Sequence, residues 1–71
     1  MNRLSALNSE IVDVLGRIER LNDMLALHQQ QPRPDELAIE GYADLRAQYI
    51  GQLEDLLLSL NIQADIKLKA A

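Results

Sequence analysis

Leu4, Leu7, Ile11, Val14, Ile18, Leu21 and Leu25, followed by His28, recur at alternating steps of three and four. A strand turns its side chains over every second residue and cannot hold such a set on one face. A helix of 3.6 residues per turn can. The steps make a seven-residue repeat, kept for nearly four repeats, of the kind that forms the seam of a coiled coil. They predict a helix over residues 4–30 with one narrow apolar stripe. About 25 residues at 1.5 Å each give it a length of roughly 38 Å. Leu15 and Met24 widen the stripe on opposite sides. Asp13 and Arg17 stand four apart, acid before base, the favourable order on a helix. Ser5 is a candidate N-cap, with Asn2 as its rival. Gly16 is expected on the solvent side.

The stripe ends at "HQQQPRPDELA". Pro32 and Pro34 push Gln31 and Arg33 toward extended backbone, so the first helix should stop by Gln30. Pro34, Asp35 and Glu36 then mark the start of a second helix, by proline in the first turn followed by acids. Asp35 is an alternative cap. The second helix is expected over 35–63, after a corner at 31–34. Its main stripe reads Ala38, Tyr42, Leu45, Tyr49, Leu53, Leu56 and Leu60. Those steps drift from a strict repeat of seven and fit an ordinary helix. A second row, Ile39, Ile50 and Leu57, lies beside it and is interrupted by Arg46. Leu58 points away from both rows. Glu36, Glu40, Asp44, Glu54 and Asp55 take the remaining side.

Two helices of similar length, joined by a break this short, predict an all-α antiparallel hairpin. A single bent helix is the alternative. The tail, 64–71, is ambiguous. Ile62, Ala64, Ile66 and Leu68 alternate with polar residues as a strand would. Leu60, Ala64 and Leu68 also continue a helical row. The expectation is helix to about residue 63 and fraying beyond it.

Composition removes several classes of function. The chain has 71 residues, enough for one small domain. It has no cysteine, and His28 is its one histidine, so thiolate and histidine-cluster metal sites are excluded. The formal charge is −4, and no face collects the seven Arg and Lys residues. A nucleic acid or an acidic membrane surface would want a basic stripe, so neither is expected as a partner. Asn8, Ser9 and Glu10 interrupt any apolar core of a leader peptide. No apolar run is long enough to span a bilayer. A cytoplasmic location is the expectation.

Catalytic patterns are weak. Glu36 with Glu40, and Glu40 with Asp44, share a helix face, but that face lies opposite the apolar stripe, where water screens it. No Glu-x-x-His pattern occurs. Ser5, Ser9 and Ser59 have no histidine near them in sequence, and no glycine-rich phosphate loop is present. His28 is expected to close the stripe and to hydrogen-bond a loop carbonyl. Gly41 would permit a close helix approach. Tyr42 and Tyr49 sit on the packing face, as core aromatics or as interface anchors. No catalytic, cofactor or metal residue is assigned, and the chain is not expected to be an enzyme.

Pro32, Pro34, Leu37, Tyr42 and Tyr49 give the corner and the start of the second helix a loose likeness. They resemble the needle and small-chaperone proteins of bacterial secretion machines. No residue role is carried over from that likeness.

A two-helix hairpin has no interior of its own. Each further Leu or Ile buried is worth about 1.5–3 kcal/mol. Leaving Leu15, Ile39, Ile50 and Leu57 open would forgo several kcal/mol. A homodimer closing into a four-helix bundle is therefore expected, or an unknown protein partner. The candidate interface is Leu15, Ile39, Tyr42, Tyr49, Ile50 and Leu57. The function expected is a small protein–protein interaction, scaffold or regulatory module. A subunit of a polymeric assembly is the alternative, and a small helical enzyme a remote one.

Overall fold

The structure is a computed structural model that describes residues 3–70, with side chains described through residue 64. Two helices fill it: α1, Arg3–Gln29, and α2, Glu36–Ala70. They pack on each other as a hairpin measuring 58 × 16 × 14 Å. Three cross-helix contacts fix the direction. Arg17 meets Tyr49, Asn22 meets Arg46 and His28 meets Tyr42. Moving up α1 moves down α2, so the pair is antiparallel.

The stripe of α1 behaves as its spacing demands. Val14, Leu21 and Leu25 are buried, at 3%, 8% and 5% exposure. Leu4, Leu7, Ile11, Ile18 and His28 are half-buried. Among the described residues no side chain of α2 is fully buried. One helix lying on one other covers each from a single direction, and the core is a seam rather than an interior.

The seam of α2 differs from the expected stripe. Ile39, Tyr42, Arg46, Tyr49, Leu53, Leu56, Leu60 and Gln63 are all half-buried, at strict steps of three and four. Leu45 turns out to solvent instead, and Arg46 takes its place in the seam. Ile39 belongs to the seam and not to the outlying row. The narrow stripe of α1 accepts only a matching narrow stripe. A strict repeat of seven therefore wins over the more apolar but drifting one. Arg46 is tolerated there because its aliphatic stem packs while its charged end reaches out.

The corner is a six-residue break, from Gln30 to Asp35. Gln30 N–H donates to the Ala26 carbonyl at 3.2 Å, and Gln31 N–H to that of His28 at 3.4 Å, closing the last turn of α1. Asp35 is the cap of α2: its Oδ1 accepts from the Ala38 N–H at 3.1 Å. Its carbonyl accepts the first helical bond, from Ile39 N–H, at 3.0 Å. Pro34 thus precedes the cap. At the other end, Ser5 lies inside α1 and caps nothing, while Asn2 is outside the described residues.

The tail is helical through Ala70. Fraying after residue 63 is not what is found, and neither is a strand. A strand would need a neighbour for its N–H and C=O groups, whereas a helix satisfies them internally. The glycines also depart from expectation. Gly16 is half-buried, and a side chain there would meet the Arg20 guanidinium at 3.7 Å. Gly41 has nothing within 4 Å of where a Cβ would stand, so it permits no close approach.

Truncating Leu21 to alanine should cost about 2–5 kcal/mol, as for buried leucines elsewhere. Leu58 is 61% exposed, and Leu58→Ala should cost under about 0.5 kcal/mol. Asp35→Ala should cost about 1 kcal/mol, and Asp35→Asn much less, since asparagine also caps. Denaturant midpoints for the four variants would check the seam and the cap separately.

Candidate functional site: the two flanks of the seam

The seam divides the surface of the hairpin into two long sides. Leu15, Ile50 and Leu57 each follow a seam residue by four positions: Ile11, Arg46 and Leu53. On a helix that places them just to one side of the seam. Because the helices are antiparallel, that side is the same for both. All three are well exposed, at 48%, 39% and 45%. Val12 continues the patch outward on α1 and is also exposed. Ala43, on the same side, is half-buried. Among the described residues this aliphatic flank carries no basic side chain on its surface other than the end of Arg46.

Arg46 reaches onto this flank from within the seam. Its Nη1 donates to the Asn22 Oδ1 at 2.8 Å. Neither residue is an acid, so the guanidinium charge has a hydrogen-bond partner but no counter-ion among the contacts of this pair. The apolar pattern alone did not point to Arg46 as a seam residue. Counting sevens back from Leu60 and Leu53 would have landed on it.

The opposite flank is more polar. Arg17, Arg20, Leu21, Met24, Leu45 and Tyr49 line a shallow groove of about 210 Å3. Arg17 Nη1 donates to the Tyr49 hydroxyl at 3.1 Å, and its Cζ stands 5.6 Å from the Tyr49 ring centroid, within cation–π range. Its Nε also pairs with Asp13 Oδ2 at 3.3 Å. The hydrogen bond to Tyr49 foremost, then the charge of Asp13, raises the arginine pKa above its usual value. A raised folded-state value means that any stabilisation is complete below the unfolded pKa and is lost only at still higher pH. No pH dependence near neutrality follows from it. A second groove, of about 280 Å3, lies toward the open end between Arg3, Leu7 and Glu10 on α1 and Ser59 and Gln63 on α2.

The candidate residues are thus divided by the fold. Leu15, Ile50 and Leu57 come together on the aliphatic flank. Ile39 and Tyr42 lie in the seam, and Tyr49 lies in the seam with its hydroxyl on the opposite flank. Tyr42 packs on His28, with ring centroids 5.3 Å apart and planes tilted by 38°. The loop carbonyl expected for His28 is not taken up: Nδ1 is buried without a hydrogen-bond partner.

Among the described residues no three His, Cys, Asp or Glu side chains stand close enough to hold a metal ion. No helix among them is long and apolar enough to cross a membrane. No protein-family model, curated protein or solved structure matches the chain.

The seam position of Arg46 generates a test with two directions. Arg46→Leu should raise stability by about 1 kcal/mol, since a leucine there gains part of a full burial and leaves no charge half-desolvated. Arg46→Ala should lower it, because the packed stem is lost. If Leu45 were the true seam residue, Leu45→Ala would be the costlier change of the two alanine variants in a urea melt.

Proposed function

We propose that the chain is a small cytoplasmic interaction or scaffold module with no catalytic chemistry of its own. It associates with a second copy through the aliphatic flank to give a four-helix bundle. The observation that carries this is the exposed line of Leu15, Ile50 and Leu57 on one side of the seam.

The surface area supports it. A compact monomer of 8.0 kDa should expose about 4,450 Å2, and this one exposes 5568 Å2. The difference is about 1,100 Å2, and a standard protein–protein interface covers about 800 Å2 on each partner. One closed contact of ordinary size would bring the chain to the exposure of a compact protein. The aliphatic flank suits that contact better than the Arg17 groove, because three aliphatic side chains line it and its one guanidinium, that of Arg46, stands at the edge of the seam with its hydrogen bond to Asn22 already made.

Met24 and Leu45 favour a second reading. They are exposed apolar residues on the opposite flank. A subunit sticky on both sides can grow head to tail into a polymer instead of closing as a pair.

Light scattering on the purified chain over a hundredfold range of concentration separates these outcomes. A plateau at twice the chain mass, abolished by Leu57→Glu, is the expected result. No basic residue stands within four positions of Leu57, so a charge there would be buried without a counter-charge. Growth without a plateau selects the polymer. A constant mass near 8.0 kDa overturns self-association and leaves a different protein as the partner.

A further inference from the structure

The seam residues of the two helices share one frame. In α1 they are Leu4, Leu7, Ile11, Val14, Ile18, Leu21, Leu25 and His28. In α2 they are Ile39, Tyr42, Arg46, Tyr49, Leu53, Leu56, Leu60 and Gln63. Leu25 and Ile39 are two whole repeats apart, and so are His28 and Tyr42. A hairpin does not require this. Across a non-helical corner each helix can rotate about its own axis, so the two phases are independent. A continuous helix does require it, because only then does one seam run unbroken from end to end.

We propose that the chain is built to accept a second copy of itself by exchange, and that Pro32 and Pro34 are what hold it closed. With the corner straightened into helix, residues 3–70 would form one rod of about 100 Å at 1.5 Å per residue. Two rods lying antiparallel, with the twofold axis near Arg33 and Pro34, rebuild the same seam between chains. The contacts of Arg17 with Tyr49, Asn22 with Arg46 and His28 with Tyr42 lie on either side of the corner. They recur twice in such a pair. The seam gains positions 32 and 35, and Asp35 is the one charged side chain added to it. What prevents the straight form is local. Pro32 and Pro34 would each remove a helical hydrogen bond and clash with the preceding turn. Exchange of an identical element about a hinge is a recognised route to dimers, and hinge changes commonly release it.

The test compares the native chain with the P32A/P34A variant, each carrying Ser9→Cys and Glu54→Cys for spin labels. Both positions are exposed. Labelled chain is unfolded and refolded with an excess of unlabelled chain, so that only distances within one chain are read. The native chain should give a short distance, comparable to the 16 Å width of the hairpin. The double variant should give roughly 65–70 Å, the length of a helix from residue 9 to residue 54, and its short distance should reappear only without dilution. Circular dichroism should show added helix from residues 30–35. A third chain, the double variant with one alanine inserted after Arg33, breaks the shared frame and should return to the short intrachain distance.

A double variant that keeps the short distance under dilution overturns the proposal. A frame-shifted chain that exchanges as readily overturns the role of the shared frame. Neither result bears on the aliphatic flank, which is judged from the mass of the native chain.

Discussion

The contact between α1 and α2 is one seam wide, and everything else about the molecule follows from that width. Two helices can cover each other along a single strip. Among the described residues three reach full burial, Val14, Leu21 and Leu25, and all belong to α1. The remaining seam residues are half-buried. Apolar side chains beyond the strip have nowhere to go within the chain. Their exposure is a consequence of geometry rather than of a poor sequence.

The same narrowness explains which parts of the fold were legible beforehand. The eight positions of the α1 stripe could be read directly, because their spacing leaves one choice of face. The corner was legible because two prolines restrict both their own φ and the residues before them. The seam of α2 was not, because Leu45 is more apolar than Arg46. Hydrophobicity ranks the two in the wrong order when a rigid, narrow partner stripe decides which one faces inward. The tail misled for a different reason. Its alternating pattern describes one side of a strand, but no second strand exists among the described residues to pair with it. His28 was placed correctly at the end of the stripe and given the wrong contact: its ring packs on Tyr42, and its Nδ1 has no hydrogen-bond partner.

The candidate site was legible as composition and only partly as geometry. Leu15, Ile50 and Leu57 come from different helices. What unites them is the antiparallel direction, which turns the same side of each seam outward together. Tyr42 and Tyr49 carry no such information in their spacing, and the fold uses both within the seam, one against His28 and one against Arg17. The polar pair of Arg46 and Asn22 required both helices to be in place before it had any meaning.

The elongation of the hairpin has a consequence for how the molecule moves through solution. Its radius of gyration is 16.6 Å, where a compact chain of 71 residues would have about 11 Å. A compact chain would need about 200 residues to reach the same value. A lone copy therefore tumbles and diffuses more slowly than a sphere of its own mass. Side-by-side pairing along the flank would thicken the rod without lengthening it. Friction would then rise much less than mass, and the pair would be harder to tell from the single chain by mobility than by weight.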